Sequence, residues 1–192
     1  MDQILLHNLR IIDPFGEREF LEHASILIEG ELIKFVGRGY SHVGFDGQIL
    51  DMQGKTVLPG IINAHTHLYS TLALGMPPPG EPPRNFVEHL KAIWWKLDRG
   101  LDLASTKASF ETGLLDCIRN GTTTVFDHHA SPEFIDGSLD LLADAAESFG
   151  INVSLCFETS DRNGPSNFTA ELKENIRAIK KFEDNPYVIP RL

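Results

Sequence analysis

The stretch GIINAHTHLYS, Gly60 to Ser70, places two histidines one residue apart at the end of an apolar run. It follows Leu58-Pro59-Gly60, which breaks the chain. Ile61 to His67 reads as a β-strand. Side chains alternate along a strand, so Ile61, Asn63, His65 and His67 are expected on one face. Ile62, Ala64, Thr66 and Leu68 take the other, mostly apolar face, which suits packing against helices. The i, i+2 spacing sets the two histidine backbones roughly 6–7 Å apart. Both rings can then converge on one metal ion at ~2.0–2.1 Å. The plainer alternative is a strand that ends in two polar residues, one held by a local hydrogen bond. A catalytic zinc usually takes three protein ligands and a water, and this pattern supplies two.

The texture of the chain differs on either side of this stretch. Residues 1–58 are β-rich: QILLHNLRII, ASILIEG, ELIKFVG and QILDMQGKTVL are separated by turns at Glu29-Gly30-Glu31 and Asp46-Gly47. Short strands with glycine turns predict a small sandwich-like sheet. Residues 59–192 alternate strand and helix. After the histidine strand comes a helix from Asn85 to Leu97, with Phe86, Leu90, Ile93, Trp94 and Leu97 on one face. A second helix, from Leu103 to Arg119, stops at Asn120-Gly121. Then follow a strand from Thr122 to His128, a helix from Ser138 to Phe149 and a strand from Ile151 to Thr159. A helix from Phe168 to Phe182, with Leu172, Ile176 and Ile179 as its apolar stripe, and a strand from Tyr187 close the chain. This order implies a parallel sheet, either doubly wound or a (β/α)8 barrel. No GxGxxG or GxxxxGK[ST] follows a strand, so nucleotide-binding versions lack support. The loop MPPPGEPP, residues 76–83, would overhang the C-terminal end of the histidine strand.

Composition narrows the function classes. The 27 acidic residues outnumber 17 basic ones, a net charge of -10 that repels phosphate backbones and argues against nucleic acid. No apolar run approaches the ~20 residues of a membrane span, and the N-terminus lacks a secretory signal. Two cysteines without CxxC spacing predict reduced thiols in a cytoplasmic protein.

Asp127-His128-His129 closes the second strand of the alternating part, at the same end as His65 and His67. Either one of these side chains contacts substrate or steadies a metal ligand, or Asp127 caps a loop and a histidine is solvent-exposed. On the third strand Asn152, Ser154, Cys156 and Glu158 share a face opposite Ile151, Val153, Leu155 and Phe157. Glu158 is read as a salt-bridge partner, and Trp94 and Trp95 as core and interface packing.

The run Val57-Leu58-Pro59-Gly60-Ile61-Ile62-Asn63-Ala64-His65-Thr66-His67 resembles the first barrel strand of the amidohydrolase superfamily. NAHTHLYSTLALGM is similar to the aminohydrolase and chlorohydrolase branch. IWWKLDRGLD, DHHASPEFIDGSLD and CFETSDRNG narrow the likeness to SsnA-type aminohydrolases, over essentially the whole chain.

That resemblance implies an α/β fold: the N-terminal part of a (β/α)8 TIM-type barrel, 59–192, preceded by a small β-sandwich segment, 1–58. It implies that His65 and His67 are metal ligands for one divalent ion, zinc ahead of iron. His128 and His129 are read, from their place at the strand end, as substrate contacts. The resemblance also implies hydrolytic deamination of a purine-like or related nitrogen heterocycle, with metal-bound hydroxide as nucleophile, and a homodimer. The family's remaining ligands and proton-shuttling glutamate come from later strands. The chain stops at Leu192 within the fourth strand, so it is expected to hold no catalytic acid or base and to be inactive alone. Two alternatives stand beside this reading: a dihydropyrimidinase-like cyclic-amide hydrolase, and a non-catalytic truncated fragment.

Overall fold

The structure, a computed structural model, describes residues 3–14, 16, 20–77 and 80–191. The chain divides into two compact units, Met1–Pro59 and Gly60–Leu192.

Among its described residues, the first unit is one five-stranded sheet. It comprises β1 (Gln3–Ile12), β2 (Phe20–Glu29), β3 (Leu32–Arg38), β4 (Gln48–Asp51) and β5 (Thr56–Val57). The order is β3-β2-β1-β4, with β5 also on β1. β1 and β2 pair antiparallel, as do β2 and β3, whereas β4 and β5 run parallel to β1. The run QILDMQGKTVL is therefore two short strands. Gln53 and Gly54, at φ of 53° and 75°, break it between them. Leu9, Ile11, Ala24 and Ile26 form this unit's core.

The second unit starts with β6 (Ile61–Thr66) and a 3-10 turn (Leu68–Ala73). A broken helix follows: α1 (Phe86–His89), a π-helical turn (Leu90–Trp94) and α2 (Trp95–Gly100). Next come α3 (Leu103–Arg119), β7 (Thr122–His129), α4 (Ser138–Phe149), β8 (Asn152–Phe157), α5 (Pro165–Lys181) and β9 (Val188–Pro190). The residues at 78, 79 and 192, within the predicted proline-rich loop and last strand, lie outside the described residues. The strands are all parallel, in the order β6-β7-β8-β9. α3 packs on α4 and α4 on α5, so these three helices cover one face. Right-handed crossovers that always advance in one direction do this, whereas a doubly wound sheet reverses and covers both faces.

Local sequence accounts for the helix ends. Asn85 caps α1 by accepting from the Glu88 N–H, and Asp102 with Ser105 forms a capping box on α3. Gly150, at φ of 66°, takes the left-handed turn that ends α4. α4 buries the predicted Leu139, Leu142, Ala143 and Ala146.

α5 does not follow its predicted stripe. Leu172 and Ile176 face outwards, while Glu171, Glu174 and Asn175 are buried. Each of these polar side chains meets a backbone group. Asn175 accepts from the Phe157 N–H at 2.8 Å and donates to the Phe157 carbonyl at 2.9 Å. Glu174 accepts from the Leu139 N–H at 3.2 Å, near the start of α4, and Glu171 from the Ser160 N–H at 2.8 Å. Strand and helix ends expose such groups, and burial requires partners for them.

β6 also departs from strict alternation. Its pairing with β7 shifts register between Asn63 and Thr66, and Asn63 Nδ2 lies 3.9 Å from Cys117 Sγ on α3. Asn63 thus joins the helix face. The irregularity returns His65 and His67 to the opposite face, the one expected for them from simple alternation.

Candidate functional site

His65 and His67 meet at the C-terminal end of β6, with their Nε2 atoms 3.1 Å apart. The His67 Nδ1 lies 2.9 Å from the His128 carbonyl oxygen, which can only accept. Nδ1 therefore carries the proton, and a neutral His67 ring presents its Nε2 lone pair towards His65. Two nitrogens bound at ~2.0–2.1 Å to one tetrahedral ion stand about 3.3 Å apart. The observed separation and tautomer fit a shared metal ion. Among the described residues no group of three or more His, Cys, Asp or Glu could hold one.

The three residues that end β7 have three different surroundings. Asp127 points to the helix side and is buried, and its Oδ1 accepts from the Leu68 N–H at 2.6 Å. Burial pushes its carboxyl up to about 7, against the Leu68 hydrogen bond. His128 points to the open side, beside His67, with ring centroids 5.5 Å apart. Burial lowers its pKa, Glu158 opposes this, and His67 adds to it. His129 is wholly buried between Phe110, Tyr69 and Phe157. Its Nε2 is 2.7 Å from Ser131 Oγ, whose own hydrogen goes to the Phe134 carbonyl. His129 Nε2 is thus the donor, and burial drops its pKa to about 3. The expectation that His129 contacts substrate is therefore corrected. Strand alternation turns it into the core, and His128 alone of that pair faces the cleft.

That cleft, of about 470 Å³, is lined by His65, His67 and His128, with Tyr69, Trp94, Trp95, Asp98, Glu158 and Arg162 among its walls. The Arg162 guanidinium Nη2 donates to Asp98 at 2.7 Å and to Glu158 at 2.9 Å. Glu158 is thus the salt-bridge partner its position suggested, and it also lines the cleft. Asp98 is almost wholly buried. Burial lifts its pKa to about 6, Arg162 works against this, and Glu158 adds to it. The Tyr69 phenol is pushed up, by burial first and then by the charge of Asp98.

Asp98 and Arg162 lie 64 residues apart, and no spacing rule could have joined them. Trp94 packs against the core as expected, and both tryptophans also line the cleft. The π turn lets two consecutive residues reach the same cleft: Trp94 sits 5.7 Å from the His67 ring, and Trp95 lies under Arg162 at 5.7 Å. A larger cavity of about 620 Å³, lined by Leu72, Met76, Pro77 and Leu97, has Lys96 as the only charged residue among its described walls. The convergent polar groups make the histidine cleft the candidate site.

A one-way parallel α/β unit with convergent imidazoles at the C-terminal end of its strands has the layout of a (β/α) barrel enzyme site. The particular family follows from comparison with known proteins. Residues 56–188 match the amidohydrolase family, and the chain belongs to it. A 5-methylthioadenosine/S-adenosylhomocysteine deaminase of Syntrophomonas wolfei is 32% identical over 72% of this chain and 31% of its own length. A 5'-deoxyadenosine deaminase of Methanobrevibacter smithii is 28% identical over 93% of this chain and 38% of its own length. The chain thus spans under two fifths of these relatives.

Among solved structures, the fold matches the atrazine chlorohydrolase of Arthrobacter aurescens complexed with zinc. The TM-score is 0.73 at 23% identity, over 97% of this chain and 45% of that one. It also matches Escherichia coli guanine deaminase, with a TM-score of 0.75 at 18% identity over 100% of this chain and 46% of that one. No helix of the described residues is long and apolar enough to cross a membrane.

Proposed function

We propose that this chain forms part of a metal-dependent aminohydrolase that deaminates a purine-like or related nitrogen heterocycle. The observation that carries the reading is the His65–His67 pair, its Nε2 atoms 3.1 Å apart, with His67 held in the metal-binding tautomer by the His128 carbonyl. The relatives named as deaminases of adenosine derivatives support the reaction class. In this reading residues 59–192 are the first half of a (β/α)8 barrel and residues 1–58 a share of a β-sandwich.

His65 and His67 would hold one divalent ion, zinc by analogy with the zinc-bound fold relative. When bound, such an ion supplies Lewis acidity that brings the pKa of water towards ~7. The chain's own residues do the rest of what can be assigned. Trp94 and Trp95 offer flat apolar walls to a planar ring. His128, held towards its neutral form by burial, offers the substrate a ring nitrogen. Asp98, Glu158 and Arg162 together carry a net charge near -1 when ionised, which suits a neutral or cationic substrate over an anionic one.

The test uses the longest open reading frame containing this chain. Metal content is measured in the wild type and in His65→Ala, and ammonia release is followed on purine bases, purine nucleosides and cyclic amides. The reading expects about one zinc per chain, lost in the variant, and ammonia from a purine. Ring opening of a cyclic amide without ammonia would replace the activity. Unchanged metal in His65→Ala would remove the site.

A further inference from the structure

We infer that Asp127 is a positioning residue for the histidine pair, holding the turn after β6 in the place that aims His67 at His65. This rests on the reading of that pair as a metal site. The Asp127 Oδ1 accepts from the Leu68 N–H at 2.6 Å, and both residues are buried. Leu68 directly follows His67 and opens the 3-10 turn, so its N–H is one of the donors a helical turn cannot satisfy internally. One residue along β7, the His128 carbonyl accepts from the His67 ring. Two successive residues of β7 thereby grip two successive residues of the turn, one by its backbone and one by its side chain.

The other bonds of the turn are internal. Ser70 Oγ and Ser70 N donate to the His67 carbonyl, and Thr71 Oγ1 donates to the Leu68 carbonyl. They fix its shape and not its seat on β7. On the other side the turn lies hard against α3 at Gly113, where an added Cβ would come within 2.7 Å of Leu68 Cδ2 and 2.6 Å of Thr71 Oγ1. The turn therefore has one seat, and Asp127 is the polar group inside it. A buried carboxylate is costly in a core. Among the described residues no hydrogen-bonded or ion-paired cation partners this one, and its other oxygen, Oδ2, meets no donor. Filling the space needs only an apolar side chain, so the acceptor is what distinguishes aspartate here.

The experiment titrates metal-free protein, as the full chain, with cobalt(II) and reads affinity and the visible spectrum of the bound ion alongside the thermal midpoint. Asp127→Ala is expected to weaken cobalt binding about 10–100-fold and to change the spectrum, the usual effect of losing a group that orients a ligand. Asp127→Asn keeps an oxygen acceptor and is expected to bind within about threefold of wild type, with the wild-type spectrum. His65→Ala reports on the underlying site. If it binds cobalt like wild type, the metal reading fails whatever Asp127 does. If it loses binding while Asp127→Ala keeps wild-type affinity and spectrum, the positioning role is overturned and the metal site stands. Should Asp127→Ala be insoluble, Asp127→Glu takes its place, because it moves the acceptor by one methylene. Equal, wild-type binding by the Asn and Glu variants overturns the role, and about tenfold weaker binding in Glu alone supports it.

Discussion

The two faces of the parallel sheet in the second unit obey different rules. On the helix side Val125, Val153, Leu155 and Phe157 are closed off by α3, α4 and α5. The polar groups among them, Asp127, His129 and Asn175, are bonded to specific partners. On the open side Ile62 and Ile189 are 60% and 53% exposed, and His65 is exposed too. Within these residues one face is a packed core and the other is open. Neighbouring residues of β7 fall on opposite sides of that division, which is why His128 and His129 have such different chemistry.

Mutations on the closed face should cost most. Phe110 is wholly buried against the His129 ring. Phe110→Ala should destabilise the protein by about 3–5 kcal/mol in urea unfolding. A loss under ~1 kcal/mol would mean that this face is looser than its burial indicates. Asn175→Ala strands both the N–H and the carbonyl of Phe157 and should cost about 2–3 kcal/mol. Asn175→Asp replaces the donor with an acceptor and should be at least as harmful.

The pH dependence of stability sharpens the same comparison. The folded pKa of His129 is depressed to about 3 from an ordinary 6.5. The unfolded chain therefore takes up the proton first. Its stability contribution is full above about 6.5 and is lost as pH falls towards 3. Asp127 acts in the opposite sense. Its folded pKa is raised from 3.8 to about 7, so the folded state holds the proton more tightly and stability falls as pH rises from about 4 to 7. Denaturant midpoints across pH 4–8 should show His129→Phe with a weaker acid decline than wild type. Asp127→Asn should gain on wild type as pH rises through the same range. Parallel curves for all three proteins would contradict the burial assigned to these two groups.

The smallest effect belongs to the open face. In the 192-residue chain by itself, Ile189→Ser should change stability by no more than about 0.5 kcal/mol, despite removing a large apolar side chain from a strand. A cost above ~2 kcal/mol would show that something covers Ile189 in solution.

Much of this was legible in the residues. Helix α3 ends where the Asn120-Gly121 stop put it, and β7 runs one residue beyond the predicted strand. The β8 alternation put Val153, Leu155 and Phe157 in the core, although Ser154, in the opposite phase, is buried too. The α5 stripe misled because periodicity counts apolar residues, whereas Glu171, Glu174 and Asn175 were buried to satisfy backbone groups on other elements. The bulge in β6 was invisible because alternation assumes a regular ladder.

The sequence by itself determined the strand-helix order, the histidine pair at a strand end and the family resemblance, since these depend on local periods and short motifs. Tertiary structure alone decided that His128 and not His129 faces the cleft, that Trp94 and Trp95 both line it, and that Arg162 joins Asp98 to Glu158. Those outcomes depend on register, on a π turn and on contacts between distant segments, and no local rule encodes where a chain returns to meet itself.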